Sequence, residues 1–266
     1  MDHGPLLGLY HGEIDNEKLP GRVGPAMWQR FHLDKAYSNI RKVSCDRKNA
    51  AIKIETRVEV PVYSWGVLCN YLYKFHNNGS FDLEVEGDFE LRELEGENFY
   101  LPRIGLDLTL PCEMENIQYF GLGPGEAYCD SKEAQKVGLY KAPLEALETT
   151  YVFPQENGNR HQVRRAAFYD LHKSGFLVKG KDDFFDFSAH RYSIAALNKA
   201  KHPYEIERSE EIHLQLNHKT SGLGSNSCGP VPAERYRVKP GPFKFTLSFF
   251  GFKAGELSDQ NFFTLV

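Results

Sequence analysis

Residues 68–91, LCNYLYKFHNNGSFDLEVEGDFEL, carry the clearest structural signal in the chain. Apolar and polar residues alternate on both sides of Asn77-Asn78-Gly79. Such alternation is typical of a β-strand with one buried face, and an Asn-Gly pair between two strands favours a tight turn. The stretch therefore predicts two antiparallel strands joined at residues 77–79.

Similar strand patterns occur before and after this hairpin. Residues 51–63 alternate in the same way, and the later runs are separated by short turns rich in Gly, Asn or Pro. These later runs cover residues 104–110, 117–123, 166–171, 176–180, 184–192, 211–217 and 243–250. Many short strands with turn signals between them predict an all-β fold built as a large antiparallel sandwich.

Two short segments have helical character. Residues 131–140, SKEAQKVGLY, and residues 193–201, SIAALNKAK, each fit a few helical turns. Asp130 is placed to cap the first of these helices. Ser193 is placed to cap the second, and Pro203 to end it. We therefore expect one or two short helices beside the strands.

The beginning of the chain lacks this regular patterning. Glycines and prolines recur between residues 4 and 25, and no clear strand or helix period is present there. We expect residues 1–40 to form a loop-rich lead-in that packs on the main domain, which spans residues 41–266. We find no internal repeat or linker that would divide the chain further.

Composition and charge exclude several classes of protein. The 266 residues carry 32 basic and 36 acidic side chains, and a net charge of −4 gives no basis for binding nucleic acid or an anionic membrane. No apolar stretch approaches the ~18 residues of a membrane span, and the N-terminus lacks signal-peptide features. The five cysteines lack a CxxC pair and the ten histidines lack ligand spacing. We therefore expect a cytoplasmic protein without metal or cofactor.

Three acidic residues lie in loops that are candidates for catalysis. Glu126 and Asp130 lie in FGLGPGEAYCD, and Glu156 lies in PQENG. Hydrolysis of a glycosidic bond needs two carboxylates about 5–10 Å apart. Acids beside glycine also cap helices and close turns, which suits Asp130 better. The sequence leaves both roles open for Glu126 and Glu156.

Two glycine-rich loops follow predicted strands. GLGPG (121–125) lacks the GK[ST] ending of a phosphate-binding loop, so we reject that role. GLGSNSCGP (222–230) contains Cys228, for which the sequence supplies no activating base. We interpret the first loop as a chain reversal at a sheet end and Cys228 as a small residue on the wall of a cleft.

These motifs form an ordered series. The blocks are LPRIGLDLTLP (101–111), YFGLGPGEAYCD (119–130), YVFPQENGNRHQVR (151–164), FDFSAHRYS (185–193) and GLGSNSCGP (222–230). In this order they resemble the C-terminal domain, or small chain, of bacterial-type β-galactosidases of glycoside hydrolase family 2. The resemblance covers at least residues 100–250. It implies a β-supersandwich with the galactose mutarotase-like fold, which in the family follows a catalytic (β/α)8 barrel or is made as a small subunit.

The resemblance implies a non-catalytic role. A barrel takes about 250 residues of βα repeats, for which this chain has neither room nor pattern. We expect the chain to support hydrolysis of terminal β-galactosides by a separate barrel-bearing subunit or domain, and to lend a loop to the rim of the sugar pocket. Ser227-Cys228-Gly229 match the family's rim motif. The predicted galactoside-binding residues are Ser227, Cys228, Gly229, Glu126, Glu156 and Asn157, with no catalytic residue in the chain.

The chain departs from the family pattern at two places. Residues 10–17, YHGEIDNE, stand where the family has W-R-A-P-x-D-N-D, and only Asp15 and Asn16 match. A family Asp that precedes the second glycine-rich loop is replaced by Asn217. The resemblance therefore leaves open the role of the N-terminal segment and of the polar network near the pocket.

The PQENGNR stretch (154–160) receives a structural interpretation from its place in the family pattern. Gly158 is expected to adopt a left-handed turn. Glu156, Asn157 and Asn159 are then expected to satisfy backbone groups of that turn or to face a neighbouring domain. Replacing Glu156 with Ala should accordingly weaken folding or docking before it affects any chemistry.

Two other functions stay open at this point. One is a stand-alone carbohydrate-binding module. The other is an aldose mutarotase-like enzyme, which rests on fold analogy alone. Mutarotation needs a general acid and a general base, for which the candidate histidines are His161, His190, His202, His213 and His218. None of these histidines lies in a mutarotase-like sequence context.

Overall fold

The computed structural model describes residues 4–18, 28–60, 62–90, 99–181, 183–224 and 231–264. Most regular structure in these ranges is β-strand. The strands are β1 Leu6–Gly8, β2 Tyr37–Asp46, β3 Ala51–Glu59, β4 Gly66–Phe75, β5 Phe81–Glu90, β6 Arg103–Pro111, β7 Asn116–Gly123, β8 Lys136–Pro143, β9 Arg160–Val163, β10 Arg165–Tyr169, β11 Gly175–Gly180, β12 Phe185–His190, β13 Glu211–Thr220 and β14 Phe243–Phe252.

The helices are short. Helix α1 spans Asp15–Lys18 and helix α2 spans Ile194–Lys199, and residues 28–30 are also helical. Single 3-10 turns cover Leu33–Lys35, Leu144–Leu147, Pro203–Glu205 and Glu234–Tyr236. The helical segments therefore connect or cover strands and do not form a layer of their own.

The strands form two sheets. The smaller sheet has five strands in the order β1-β6-β13-β12-β9, and the larger has nine in the order β2-β3-β4-β5-β14-β11-β10-β7-β8. Each of these pairings is antiparallel. The predicted all-β class and the large antiparallel sandwich are therefore confirmed.

The core lies between the two sheets. Alternate residues Leu106 and Leu108 on β6, and Leu214 and Leu216 on β13, are buried and belong to one cluster with Leu83 of the larger sheet. Burying a leucine side chain contributes about 1.5–3 kcal/mol relative to leaving it exposed. Since side chains alternate along a strand, the residues between these leucines point to the outer face of the smaller sheet.

The hairpin predicted from residues 68–91 is confirmed. β4 and β5 pair from Gly66 opposite Glu90 to Phe75 opposite Phe81. The turn closes when the His76 N–H donates to the Ser80 carbonyl over 2.9 Å and the Gly79 N–H donates to the His76 carbonyl over 3.1 Å. Gly79 has φ +80°, a left-handed conformation that glycine adopts without steric cost.

One predicted helix is confirmed and the other is wrong. Residues 194–199 form helix α2, and the Ser193 hydroxyl accepts a hydrogen bond from the Ala196 N–H over 3.1 Å. Residues 136–143, by contrast, form strand β8 at the edge of the larger sheet and pair with β7 from Lys136 opposite Gly123. The pairing with β7 satisfies the backbone groups along one edge of this segment and overrides its weak local helical preference.

The first forty residues contribute to both sheets. β1 lies at the edge of the smaller sheet, where Leu6 pairs with Asp107, and β2 begins at Tyr37 at the edge of the larger sheet. A division at residue 40 thus falls inside β2. The assignment of residues 1–40 as a separate lead-in stays a prediction.

Candidate functional site

The outer face of the smaller sheet is polar. The register places Asp107 opposite Gln215 and Gln215 opposite Ser188, while Thr109 lies opposite His213 on the same face. Outer faces of antiparallel sheets are commonly polar because water covers them. Here Thr109 is 6% exposed and Gln215 is 9% exposed, so little of these two side chains reaches open solvent.

Arg103 organises one end of this face. It is 1% exposed, and its Nε donates to the Tyr10 carbonyl over 2.6 Å. Its Nη1 donates to Asn217 Oδ1 over 3.0 Å, and its Nη2 donates to Asp107 Oδ1 over 2.6 Å. A buried guanidinium is tolerated only with such partners. Asn217, where the resemblance leads us to expect an Asp, thus accepts a hydrogen bond from this arginine.

The N-terminal segment, residues 10–17, packs against loops from distant parts of the chain. Glu156 Oε2 accepts from the Gly12 N–H over 2.8 Å, and Gln155 Oε1 accepts from the Asp15 N–H over 3.2 Å. Asn16 Nδ2 donates to the Leu223 carbonyl over 3.3 Å. The segment therefore docks mainly through its backbone groups. Because every residue type here has the same backbone N–H group, the different side chains of residues 10–17 do not remove these contacts.

Glu156 lies beneath this segment and is buried. Burial raises the pKa of its carboxyl from 4.5 to about 7, while the Gly12 N–H and Arg103 act in the opposite direction. The nearby Glu126 carboxylate raises the pKa further. Glu156 therefore holds a proton near neutral pH more readily than an exposed glutamate does.

Glu126 fixes the turn that follows Glu156. Its Oε2 accepts from the Gly158 N–H over 2.8 Å, and its Oε1 accepts from the Tyr151 hydroxyl. Gly158 has φ +76°, and a Cβ at this position would lie 2.8 Å from His190 Cε1. The predicted left-handed turn at Gly158 is therefore confirmed, and glycine is required there for both conformation and space.

Asn157 uses its side chain within the loop. Its Oδ1 accepts from the Thr149 N–H over 3.1 Å, and its Nδ2 donates to the Gln155 carbonyl over 2.9 Å and to the Tyr192 hydroxyl over 3.0 Å. The residue is 4% exposed. These contacts give Asn157 a role in holding the loop, and its predicted contact with a galactoside stays a prediction.

Glu126 and Glu156 line a common cavity of about 240 Å³. The other residues around it are Ile14, Asn16, Tyr128, Ser131, Tyr151, Gln155, Leu223 and Gly224. Gly224 precedes residues 225–230, so Ser227, Cys228 and Gly229 lie outside the described residues. The structure therefore brings the two glutamates together beside the start of the loop that carries the predicted rim motif.

Asp130 anchors the start of that loop. Its Oδ1 accepts from the Leu223 N–H over 3.1 Å, and its Oδ2 accepts from the Gly224 N–H over 2.8 Å. The prediction that Asp130 caps a helix is wrong, because the residues that follow do not form one. Its carboxylate satisfies backbone donors of a different loop instead.

Sequence reasoning missed Arg103 and the actual role of Asp130. A usable signal existed for Arg103, because a charge inside the apolar run LPRIGL must find partners if the strand is buried. No local signal existed for Asp130, since its partners lie 93 and 94 residues along the chain.

Two of the candidate histidines, His161 and His190, have structural partners. His161 Nδ1 lies 2.8 Å from Asp186 Oδ1, and His190 Nε2 lies 3.1 Å from the Asn157 carbonyl. Burial lowers the pKa of His190 to about 4. Within the same ranges, no group of three or more His, Cys, Asp or Glu side chains is placed to hold a metal ion. None of the helices described there is long and apolar enough to cross a membrane.

Fold and site together define a class of protein. Two antiparallel sheets enclose the main core, which is the architecture of a β-supersandwich domain, and loops from both sheets line the cavity that Glu126 and Glu156 share. A family model described as "Beta galactosidase small chain" matches residues 3–249. The chain belongs to that family.

Similar proteins include complete β-galactosidases. The β-galactosidase of Actinobacillus pleuropneumoniae is 29% identical over 90% of this chain and 22% of its own length. That of Lactobacillus delbrueckii subsp. bulgaricus is 34% identical over 85% of this chain and 21% of its own length. The chain therefore spans about a fifth of the length of these relatives.

Similar solved structures include proteins of the galactose mutarotase type. A galactose mutarotase related enzyme from Lactobacillus acidophilus aligns with a TM-score of 0.40 at 11% identity, over 81% of this chain and 72% of that one. A GalM/aldose epimerase homologue from C. elegans aligns with a TM-score of 0.42 at 6% identity, over 80% of this chain and 69% of that one.

Proposed function

We propose that this chain is a non-catalytic small subunit, or domain, of a cytoplasmic β-galactosidase. It supports hydrolysis of terminal β-galactosides by a separate (β/α)8 barrel. The observation that carries the proposal is the small-chain family match over residues 3–249. It is supported by the fact that the chain matches only about a fifth of the length of its relatives. A barrel takes about 250 residues and fits easily within the part of those relatives that this chain does not cover.

The contribution of this chain to the sugar pocket is proposed to be the loop at residues 225–230. Its base is held by Asp130, which accepts from two consecutive backbone N–H groups. These bonds fix Leu223 and Gly224, the residues from which the segment starts, and a fixed start lowers the entropic cost of binding. Ser227, Cys228 and Gly229 are the residues proposed to contact the sugar. Glu126, Glu156 and Asn157 support the adjoining loops, and any direct contact between them and a galactoside is part of this proposal.

Activity measured with and without a partner tests the proposal. The purified chain alone should not hydrolyse a chromogenic β-galactoside, and mixing it with a barrel-bearing β-galactosidase large subunit should produce activity. Strong hydrolysis by the chain alone would contradict the proposal. The proposal would also be contradicted if the chain neither bound nor activated a barrel-bearing subunit whose gene lies next to its own.

A matched pair of variants tests the loop assignment. Asp130→Ala removes the acceptor for Leu223 and Gly224, and should lower kcat/KM of the assembled enzyme about tenfold or more while assembly persists. Asp88→Ala, at an exposed position on β5, should leave kcat/KM unchanged. Equal activity of both assembled variants would show that the loop does not reach the sugar pocket.

A further inference from the structure

A second and larger cavity lies on the outer face of the smaller sheet. Its volume is about 620 Å³, and its polar floor includes Thr109, Ser188 and Gln215. Its walls include Tyr37, from the start of β2, and Leu197 of helix α2. None of these residues lines the 240 Å³ cavity, although Glu156 borders both.

The floor contains polar groups that the protein does not fully satisfy. Thr109 is 6% exposed, and its buried hydroxyl has no hydrogen-bond partner among the described residues. Gln215 Oε1 accepts from the Ser188 hydroxyl over 3.1 Å, which leaves the amide nitrogen of Gln215 as a donor. Buried polar groups without partners are unfavourable, so such a floor is stabilised when a polar molecule occupies the cavity.

The charges around the cavity favour a neutral occupant. No lysine or arginine lines it in the part of the chain that the structure describes. Asp107 pairs with Arg103, and Glu156 accepts from the Gly12 N–H. His190 and His213 also line the cavity, and burial lowers the pKa of His190 to about 4. An anion would meet two carboxyl groups and no lysine or arginine there, whereas hydroxyl groups can both donate to and accept from the floor.

The shape of the cavity favours an amphipathic ring. A polar floor faces apolar walls, and Tyr37 is 48% exposed. Sugars likewise have a polar part and an apolar part. Their hydroxyls lie at the edge of the ring, and their C–H groups lie on the faces that aromatic rings contact. Ligand sites commonly measure about 300–1,000 Å³, a range that includes this cavity.

We propose that this cavity binds a neutral saccharide of about one or two rings. Thr109 and Gln215 hydrogen-bond its hydroxyls, and Tyr37 lies against a C–H face. The residues proposed to contact the ligand do not line the Glu126–Glu156 cavity, although Glu156 borders both, and the site needs no barrel-bearing partner. It therefore stands independently of the proposed function, and a failure of either leaves the other intact.

Calorimetric titration of the purified chain with galactose, lactose and glucose tests the proposal. At least one of them should bind. Thr109→Val should weaken that binding about fivefold, as expected for loss of one hydrogen bond. It should not lower Tm, because the lost hydroxyl has no partner in the described structure. Tyr37→Ala should weaken binding tenfold or more by removing the ring. Thr246→Val, on β14 of the other sheet, is the matched control and should leave binding unchanged.

Three outcomes would overturn the proposal. The first is the absence of binding to any neutral sugar at millimolar concentration, which would mean that water alone fills the cavity. The second is binding that both Thr109→Val and Tyr37→Ala leave unchanged, which would place the sugar elsewhere. The third is tighter binding of galacturonate or galactose 6-phosphate than of galactose, which would contradict a neutral ligand.

Discussion

The polar outer face of the smaller sheet differs between its two ends. At one end Arg103 donates to Tyr10, Asp107 and Asn217, and the N-terminal segment covers the network. At the other end the Thr109 hydroxyl has no partner among the described residues and lies beneath a cavity of about 620 Å³. Strands β6 and β13 supply both ends, so the difference arises from what covers them. Where the chain covers its own polar groups it stabilises the fold, and where it leaves a cavity it can bind a ligand.

Removing the arginine should have the largest effect. Arg103→Met leaves the acceptors at Tyr10, Asp107 and Asn217 without their donor, and breaking a buried charged network costs about 3–5 kcal/mol. Denaturant unfolding followed by fluorescence measures this loss. Arg41→Met, at a side chain that is 56% exposed, is the control and should change stability by less than about 0.5 kcal/mol. Similar values for the two variants would mean that the covered end does not stabilise the fold.

Glu156→Gln should change how stability depends on pH. The folded protein raises the pKa of Glu156 from 4.5 to about 7, so folding takes up a proton between these values. The glutamate's contribution to stability is thus full below about pH 4.5 and is lost as the pH rises through 7. Glutamine does not titrate and can still accept from Gly12, so at pH 8 the variant should be more stable by up to about 3 kcal/mol.

Unfolding curves of both proteins between pH 4 and 8 measure this difference. Burial lowers the pKa of His11 and of His190 to about 4, so their contribution is lost as the pH falls from 6.5 through 4. Both proteins should therefore lose stability in acid. The stability advantage of Glu156→Gln over the native chain should grow as the pH rises from 5 to 8, because only the native chain carries the titrating glutamate. A constant difference over that range would exclude a buried, proton-binding Glu156.

A smaller effect is expected at the turn beside Glu156. Gly158→Ala places a Cβ 2.8 Å from His190 Cε1 at a residue with φ +76°, and should cost about 2 kcal/mol. Gly241→Ala is the matched control, because nothing lies within 4 Å of the Cβ it would add. Differential calorimetry compares the two Tm values, and equal values would show that the turn can relax without cost.

The smallest effect is expected at the wall of the open cavity. Ser193→Ala removes the acceptor for the Ala196 N–H at the start of helix α2, and loss of such a cap costs about 1 kcal/mol. Ser193→Thr keeps a hydroxyl and should recover most of the loss. Denaturant unfolding measures both variants. If Ser193→Ala leaves the free energy of unfolding unchanged, packing alone holds this wall of the cavity.

Local signals predicted most of the fold. Alternation along residues 68–91 and the Asn-Gly turn were sufficient for β4, β5 and their hairpin. Ser193 marked the start of helix α2, and Gly158 marked a left-handed turn. The prediction failed at residues 136–143, where the helical preference is weak and pairing with β7 decides the conformation.

The sequence by itself determined most of the strands and the turns, because these depend on residues that lie close together along the chain. It also determined the family, through the order of five motifs between residues 101 and 230. The tertiary structure decided the partners of the acidic residues. Glu156 accepts from Gly12, 144 residues away, and Asp130 accepts from Leu223, 93 residues away. It also decided which polar groups of the smaller sheet are covered and which face a cavity. These contacts depend on which loops from distant strands pack together. The short-range periodicity of the sequence carries no information about that packing.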